Sequence, residues 1–383
     1  MDIVPINSWF DKSCGSPLVI AGPCSAETED QVMKTAEGML GENKPDIFRA
    51  GIWKPRTRPG SFSGVGEKGL RWLRRVKEEY AYRITVEAAS ALHVKACIDA
   101  GVDIIWIGAR SVSNPFSVEE IAEALKGTDI PVLVKNPLNP DIDLWMGAIE
   151  RLSRVGITKI AAIHRGFSPF ERTRYRNMPK WEIPVELKRR ISNIPVLCDP
   201  SHITGDASMI YEVSQKAMDL NMDGLMIEVH PDPPGALSDC NQQLTPLQFK
   251  DLFTRLIIRK PGFDNQLIID ELETLRSQVD SIDHQFIELL SQRLSIIEQI
   301  ADYKYINNVS VLQMERWLEI LKTRTEHAKS LGLSVRFTEQ ILKQLHQESI
   351  RIQTRIMLDK KRSGNGLSDI AMGNGNGYVE DDD

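Results

Sequence analysis

The sequence predicts a (β/α)8 barrel followed by a small all-α domain. Between residues 18 and 258, short apolar runs rich in β-branched residues alternate with polar or glycine-marked ends and helical stretches, which is the pattern of parallel βα units. This region is about 240 residues long, a usual size for such a barrel. Beyond residue 260 the β-rich runs stop, and apolar residues recur at three- and four-residue steps, which indicates helices.

Eight apolar runs supply the predicted strands. They are Leu18–Ala21, Ile47–Arg49, Ile84–Val86, Ile104–Ile107, Val132–Val134, Lys159–Ile163, Val196–Cys198 and Gly224–Val229. The segments between them are long enough for the crossover helices that parallel strands require. A doubly wound open sheet fits the same pattern and is the alternative architecture.

The chain is predicted to change character at a linker over residues 261–269, which separates a barrel domain (1–260) from a helical domain (270–362). Pro261 and Gly262 mark the break because this pair disfavours both helix and strand. Asp270 is the expected N-cap of a long amphipathic helix, and two more helices are expected near 313–330 and 338–361. Residues 363–383 are rich in glycine and asparagine and end in acids, so they are predicted to be a disordered tail.

Composition excludes several classes of protein. The net charge is −6, and five of these negative charges lie in the tail, which leaves residues 1–362 at −1. A nearly neutral body argues against a general nucleic-acid binder, and no apolar window is long enough for a membrane span. Five cysteines and a first segment without the features of a secretion signal predict a cytoplasmic protein.

The predicted strand ends carry many cations. In a (β/α)8 enzyme the chemistry lies at the C-terminal ends of the strands, so side chains there are expected to meet at one mouth. The cations at these positions are Arg49, Lys54, Arg56, Arg110, Lys135 and Arg165. Six cations in one small site repel one another, and they therefore predict a multiply anionic ligand that carries phosphate, or phosphate and carboxylate.

The same strand ends offer ligands for a metal ion. Cys24, His202, Glu228 and Asp239 would supply one sulfur, one nitrogen and two carboxylates, a mixed set that suits a divalent transition metal. Taken singly, a cysteine after a strand is more often a small buried apolar residue. Their coincidence at one register favours a site. The remaining cysteines noted in this region, Cys14, Cys97 and Cys198, match no motif and are interpreted as structural.

Five segments in consistent order resemble type I-beta 3-deoxy-D-arabino-heptulosonate 7-phosphate (DAHP) synthase, over roughly residues 15–260. They are Gly22-Pro-Cys-Ser, Phe48-Arg-Ala-Gly-Ile-Trp-Lys-Pro-Arg-Thr, Ile107-Gly-Ala-Arg, Asp199-Pro-Ser-His and Ile227-Glu-Val-His-Pro. That family condenses phosphoenolpyruvate with erythrose 4-phosphate and needs a divalent metal. The related synthase of the eight-carbon sugar KDO differs at Lys-Pro-Arg-Thr, which disfavours it; a sialic-acid-type enzyme is a further rival.

The resemblance implies roles for most of these residues. The residues that match metal ligands are Cys24, His202, Glu228 and Asp239, for an ion such as Mn²⁺, Fe²⁺, Zn²⁺ or Co²⁺. Those that match phosphoenolpyruvate-binding cations are Arg49, Lys54, Arg110, Lys135 and Arg165, whereas Arg56 and Thr57 match the segment that holds the sugar phosphate. Lys54 is the first candidate for proton transfer, followed by Glu87 or a metal-bound water. His164, where many relatives carry an acid, is assigned no role.

Polar residues interrupt the apolar faces of the helical domain. Arg293 lies in line with an apolar series, and Lys304 follows on nearly the same face about three turns later. In the last helix, Ser349 and Gln353 lie in line with a similar series. Cations on the inner side of a bundle are costly unless they meet an anion. Either a bound ligand or a glutamate such as Glu298 would serve.

The spacing of these residues over about 270–357 resembles the all-helical class of chorismate mutase. In that family the counterparts of Arg276, Arg293, Lys304, Arg316, Ser349 and Gln353 surround a dianion, in an intertwined dimer in which Arg276 would reach the partner's site. Gln313 and Trp317 depart from the family, which often has acids there. The resemblance implies a homodimer and a mutase, and the alternative is a binding-only domain that senses chorismate or prephenate as a feedback element.

Overall fold

The computed structural model describes residues 1–9, 16–54, 60, 62–171, 173–259, 262 and 266–370, of which 267 and 363–370 are described by their backbone alone. The chain divides into two compact units, Met1–Gly262 and Phe263–Asp383. Arg56, Thr57 and Cys14 lie outside the described residues, so the predictions made for them stay predictions.

The first unit is a closed barrel of eight parallel strands in chain order, which confirms the predicted fold class and excludes the open sheet. The strands are β1 (Leu18–Gly22), β2 (Ile47–Arg49), β3 (Arg83–Ala88), β4 (Ile104–Ile107), β5 (Val132–Lys135), β6 (Ile160–His164), β7 (Val196–Cys198) and β8 (Gly224–Glu228). Strand β8 closes the barrel by pairing with β1, with Leu18 opposite Gly224 and Gly22 opposite Glu228.

Helices surround the barrel. They are α1 (Glu29–Gly38), α2 (Lys68–Tyr80), α3 (Ala91–Asp99), α4 (Ala109–Val112), α5 (Pro115–Leu125), α6 (Ile142–Arg154), α7 (Glu182–Arg190), α8 (Pro200–Thr204), α9 (Ile210–Asp219) and α10 (Pro246–Arg255). Local sequence explains several of their starts. Helix α10, for example, begins with a capping box in which Thr245 and Gln248 bond each other's backbone N–H, and Pro246 fits the first helical position.

Strand alternation separates an inner core from an outer one. The inner core is formed mainly by one side of the strands: Leu18, Ile20, Ile47, Ile104, Trp106, Leu133, Ala161, Ile163, Leu197 and Met226. Their neighbours, such as Phe48, Val134 and Leu225, belong to the core shared with the helices. Ile6, the first residue of a short 3-10 turn, and Trp9, which follows that turn, join the inner core beside the first residues of the strands.

This two-residue period places the site residues. Arg49, Lys135 and Glu228 lie two positions beyond the interior residues Ile47, Leu133 and Met226. Successive side chains point to opposite faces of a strand, so these charged residues form the last inward layer, at the C-terminal mouth of the barrel. The same rule turns Cys198 outward, where it is buried in the outer core.

The second unit contains three described helices, α11 (Gln266–Ile306), α12 (Met314–Ser330) and α13 (Val335–Ile370). Helix α11 starts four residues before Asp270, so the predicted N-cap is wrong and 266–269 belong to the helix rather than to the linker. Helix α13 continues through 363–370, the first part of the predicted tail. Once nucleated, a helix extends at little cost per residue, which explains both extensions. Residues 371–383 lie outside the described part of the chain.

Few apolar side chains are buried within the helical unit. Among its described residues, the fully buried hydrophobic ones are Ala301, Ala328 and Ile352. The apolar series of α11 is instead largely exposed: Leu275, Val279, Ile282, Phe286, Leu289, Ile296 and Ile300 are all 39–63% accessible. We call these seven residues the α11 stripe. None of the described helices combines the length and hydropathy needed to cross a membrane.

Candidate active sites

Three of the four predicted metal ligands gather at the mouth of the barrel. Cys24 follows β1, Glu228 ends β8, and Asp239 lies in the loop between β8 and α10. One donor atom from each lies within 4.8 Å of the others. The Cys24 thiol donates a hydrogen bond to Asp239 Oδ2 at 3.2 Å. Burial and the nearby Glu228 raise the pKa of Cys24 to about 12.

His202, the fourth predicted ligand, lies beside this group but not within it. Its Nε2 atom is 3.8 Å from Glu228 Oε1, and its Nδ1 atom is 2.9 Å from Asp199 Oδ2. Burial lowers the pKa of His202, which favours the neutral imidazole that metals bind. A carboxylate on the other ring nitrogen is the usual arrangement for a metal-bound histidine.

The predicted cations lie around the same mouth, with different partners. Arg49 is buried and donates from Nη2 to Glu228 Oε1 at 3.1 Å, and Lys135 donates to Asp199 Oδ2 at 2.8 Å. Lys54 Nζ lies 3.0 Å from Cys24 Sγ. Two further nitrogens of Arg49, Nε and Nη1, are buried with no hydrogen-bond partner in the described structure. Such buried donors are costly unless a ligand accepts from them.

Arg165 is buried without an acidic hydrogen-bond partner among the described residues. Its Nη1 donates to Asn177 Oδ1 at 2.9 Å and to the Gly166 carbonyl at 3.4 Å. Burial lowers the pKa of Arg165 to about 10, which leaves it charged at neutral pH. A buried cation with neutral partners is expensive, and an anionic ligand would offset that cost.

A polar cavity of about 90 Å³ lies among these groups. Its lining includes Lys54, Glu87, Arg110, Lys135, Arg165, Arg176, His202 and Asp239. The barrel thus brings together all the predicted barrel residues that the structure describes, and Arg110 lies at the exposed rim. Gly108 keeps the cavity open next to Glu87, since a Cβ at Gly108 would lie 2.0 Å from Glu87 Oε1.

His164 lies on the outer side of β6, away from the interior. Its ring packs against Phe167 and Trp181, with centroids 5.8 and 5.1 Å away. Burial lowers the pKa of His164 to about 3, so this residue is a neutral part of the core at physiological pH. Its position beside Arg165 in the sequence does not bring it into the site.

Sequence reasoning missed Arg176 and Gln242 and gave no role to Asp199. Arg176 donates to Asp239 Oδ1 at 3.0 Å, and Gln242 donates to Glu228 Oε2 at 2.7 Å. Both lie in loops, with no strand end or motif to mark them. Asp199 was visible as the residue after β7, and its inward position was the available signal.

In the helical unit, Arg293 of α11 contacts Ser349 of α13, which in turn contacts Gln353. Arg293 Nη1 donates to Ser349 Oγ at 2.9 Å, and Gln353 Nε2 donates to the Ser349 carbonyl at 3.1 Å. The Oε1 atom of Gln353 is buried with no hydrogen-bond partner in the described structure. Glu298, the acid considered as a partner for Arg293, lies 3.8 Å from Arg355 instead.

Lys304 lies further along α11 and donates to the Val311 carbonyl at 2.6 Å. Burial lowers the pKa of both Lys304 and Arg293. Trp317 stacks on His346 with ring centroids 3.9 Å apart. Burial, together with the charges of Arg293 and Lys304, lowers the pKa of His346, so the stacked pair borders the cationic site.

The remaining predicted residues of the helical unit lie apart from this cluster. Arg276 and Arg316 are exposed and paired with Glu273 and Glu319, each at 2.6 Å. Arg276 precedes Arg293 by 17 residues on the same helix, which is about 25 Å along its axis. It therefore cannot join the Arg293 site of its own chain.

The fold and these two clusters are those of an enzyme with a cation-rich barrel mouth and a second cationic cluster in its helical unit. The profile of the DAHP synthetase I family matches residues 12–257, and that of chorismate mutase type II matches residues 275–354. The chain belongs to the DAHP synthetase I family and carries a chorismate mutase domain that follows the barrel in the sequence. This confirms both resemblances noted in the sequence.

A sequence and a crystal structure from Thermotoga maritima illustrate the similarity. A phospho-2-dehydro-3-deoxyheptonate aldolase is 35% identical over 234 residues, which cover 61% of this chain and 67% of that protein. The crystal structure of a DAHP synthase from this organism is 33% identical with a TM-score of 0.56, and the match covers 63% of this chain and 68% of that one. A 2-dehydro-3-deoxyphosphooctonate aldolase from Desulfotalea psychrophila is less similar, 29% identical over 63% of this chain and 90% of its own.

Proposed function

We propose that the barrel condenses phosphoenolpyruvate with erythrose 4-phosphate to give DAHP and phosphate, and that the helical unit rearranges chorismate to prephenate, both in the cytoplasm. The synthase proposal rests on one observation: Arg49 and Arg165 lie at the same mouth of the barrel as the candidate metal ligands. Buried guanidinium donors without acceptors, an arginine with neutral partners and three metal-type donors all lie at one mouth. They suit an anionic substrate and a divalent ion.

The metal would be held by Cys24, Glu228 and Asp239, with His202 as the fourth ligand. The sulfur, nitrogen and carboxylate donors of these four residues fit Mn²⁺, Fe²⁺, Zn²⁺ or Co²⁺. The donor atoms of Cys24, Glu228 and Asp239 lie within 4.8 Å of one another, which is compatible with one ion. Such an ion, when bound, would withdraw electrons from the aldehyde oxygen of the sugar phosphate.

The chain's own residues would bind and orient the substrates. Arg49, Arg110, Lys135 and Arg165 would bind the phosphate and carboxylate of phosphoenolpyruvate and hold its C3 atom towards the aldehyde carbon, so that alignment is achieved before reaction. As the C–C bond forms, the aldehyde oxygen takes up a proton. Water then adds at C2 and returns one proton to the group that protonated the aldehyde oxygen. The new hydroxyl at C2 passes its proton to the departing phosphate as the C2–O bond breaks, which leaves a ketone.

Lys54 is the residue proposed to supply that proton, since its ammonium group lies at the metal-ligand cluster and lines the cavity. Glu87, which also lines the cavity, is the second candidate. Arg56 and Thr57 would bind the phosphate of the sugar, a role that rests on the resemblance alone.

The test of the synthase compares two acceptors. We expect the purified protein to release phosphate from phosphoenolpyruvate with erythrose 4-phosphate, to lose this activity in EDTA, and to regain it with Mn²⁺ or Co²⁺. Arabinose 5-phosphate serves as the control acceptor, since a KDO-type enzyme would use it. Faster turnover with arabinose 5-phosphate, or activity unaffected by EDTA, would contradict the proposal.

The mutase proposal rests on the contacts of Arg293, Ser349 and Gln353. Rearrangement of chorismate is intramolecular, so it needs no nucleophile, metal or acid. Arg293 and Ser349 would hold a carboxylate of the compact conformer, and Lys304 and Gln353 would stabilise charge on the breaking ether oxygen. The amide nitrogen of Gln353 carries two N–H groups, one of which donates to the Ser349 carbonyl, so the other would be the donor to this oxygen.

Chorismate consumption by the full-length protein tests this proposal. We expect Arg293→Ala to lower kcat/KM by about 100-fold, the scale for losing a charge-stabilising group. Arg351→Ala is the control, because Arg351 is exposed on α13 and pairs with Glu348. Wild-type protein that binds prephenate, changes its synthase rate and yet fails to convert chorismate would establish the alternative, a binding-only feedback domain.

We also propose that the protein is a homodimer through its helical unit. With three buried hydrophobic residues among those described, this unit lacks a core of its own. The exposed α11 stripe is a long apolar surface of the kind that marks a protein interface. Dimerisation would also bring Arg276 to a partner's site that its own chain cannot offer it.

A further inference from the structure

A chain of hydrogen bonds links Asp239 and Glu228, the two carboxylates of the candidate metal site. Arg176 Nη1 donates to Asp239 Oδ1 at 3.0 Å and to Gln242 Oε1 at 2.5 Å. Gln242 Nε2 donates in turn to Glu228 Oε2 at 2.7 Å. Asp239, Arg176, Gln242 and Glu228 therefore form one continuous series of contacts.

This series leaves the second oxygen of each carboxylate for the site. Asp239 Oδ2 accepts from the Cys24 thiol, and Glu228 Oε1 lies 3.1 Å from Arg49 and 3.8 Å from His202. The amide of Gln242 has only one useful orientation here, because it must accept from a guanidinium and donate to a carboxylate. The two outer contacts thus fix the direction in which the two inner oxygens point.

The fold gives these contacts no other evident purpose. Gln242 is 1% exposed, and its side-chain bonds go to Arg176 and Glu228. Arg176 lies in the loop between β6 and α7, and Asp239 and Gln242 lie in the loop between β8 and α10. Asp239 has a φ of +49°, a left-handed conformation that is unfavourable for a residue with a Cβ. The hydrogen bond from Arg176 therefore helps to hold Asp239 in the position that the site requires.

We infer that Arg176 and Gln242 are positioning residues that hold one oxygen of Glu228 and of Asp239, and that they thereby set the affinity of the barrel for a divalent metal ion. This inference rests on the proposed metal site. Groups that orient metal ligands commonly change metal affinity by 10- to 100-fold when they are removed. Arg176 also places a positive charge near both Asp239 and Glu228, which reduces the repulsion between these two carboxylates.

The experiment titrates metal-free, full-length protein with Co²⁺ and records the thiolate-to-cobalt absorption band. We expect Arg176→Leu and Gln242→Leu each to weaken Co²⁺ binding by 10- to 100-fold, measured in competition with a chelator, while the band remains. The matched controls are Arg174→Leu, an exposed arginine of the same loop that pairs with Glu212, and Gln215→Leu, a half-buried glutamine on α9 that bonds Asp219 and the backbone of Ile257, away from the site. Both should bind Co²⁺ as the wild type does.

Thermal unfolding of the metal-free variants separates positioning from folding. The inference requires that Co²⁺ affinity falls while the melting temperature without metal stays close to that of the wild type. Wild-type affinity in both Arg176→Leu and Gln242→Leu would overturn it. If the wild type shows no cobalt band that Cys24→Ser abolishes, the metal site itself fails, and the inference fails with it.

Discussion

Arg165 shows how single residues in this barrel favour ligand binding over stability. Its guanidinium group is buried and bonds to an amide and a peptide carbonyl rather than to an acid. Arg49 keeps two nitrogens without acceptors in the described structure, although a third meets Glu228. Charges held in this way cost free energy in the empty protein, and that cost is recovered only when an anion arrives.

Replacing Arg165 by Met should therefore separate binding from folding. We expect Arg165→Met to leave the free energy of unfolding of the ligand-free protein unchanged or to raise it by about 1 kcal/mol, because a buried charge without an acidic partner is removed. Binding of phosphoenolpyruvate should weaken by about 10- to 100-fold, the usual loss for one charged hydrogen bond. Urea unfolding and calorimetric titration measure the two effects.

Arg154→Met is the control for this prediction, since Arg154 is exposed in the last turn of α6. It should alter neither quantity. If Arg165→Met were strongly destabilised without ligand, Arg165 would be part of the structural framework rather than a binding group.

At the scale of the element, the strands do two things at once. The inward face of the strands fills the barrel, and the outward face packs against the helices. The last inward position of β2, β5 and β8 places a charged side chain at the mouth. Close contact between strands is part of this design. Gly22, the last residue of β1, has a φ of +149°, and a Cβ at this position would lie 2.1 Å from the Arg49 carbonyl oxygen of β2.

We therefore predict that Gly22→Ala disrupts the pairing of β1 with β2. The methyl group meets a backbone atom that cannot move without displacing Arg49, so we expect a loss of about 3 kcal/mol or more in the free energy of unfolding, at the upper end for overpacking. Gly41→Ala is a matched control, because Gly41 also has a positive φ, +121°, but has open space around it. Equal losses in the two variants, measured by urea unfolding, would show that backbone strain alone is responsible.

For the whole molecule, the two units bury their apolar residues differently. The barrel has a continuous core inside and outside its strands, whereas the helical unit leaves the α11 stripe largely uncovered. Three helices can bury a substantial apolar surface only if they pack on all sides of it. A second copy of the chain is the partner that the resemblance to the mutase family implies.

A charge placed in the α11 stripe should prevent dimerisation. We expect Phe286→Asp to lower the mass measured by sedimentation to half that of the wild type, because an aspartate in an apolar interface remains unpaired. Ile287→Asp is the control: this residue is 64% exposed on the same helix but lies about 100° around from Phe286. A wild-type protein that sediments as a monomer would contradict the proposed dimer.

The sequence by itself determined the barrel, the three helices and the inward position of most site residues. A periodicity of two residues, or of three to four, is a local property that can be recognised in the sequence. Arg49, Lys135 and Glu228 can be recognised in the same way, because they are charged residues at the ends of predicted strands. Local signals were weaker at element boundaries. Asp270 looked like an N-cap, yet the helix begins four residues earlier, because helix ends depend on contacts as well as on capping residues.

Only the tertiary structure decided which side chains touch. Arg176 and Gln242 lie in loops whose course no sequence period describes, and they meet Asp239 and Glu228 because the barrel brings the loops after β6 and β8 to the same mouth. In the structure of one chain, the α11 stripe is exposed, whereas its apolar spacing had predicted a buried face. Both outcomes depend on packing between residues that are far apart in the sequence. Propensity and periodicity are properties of neighbouring residues, so they cannot predict such packing.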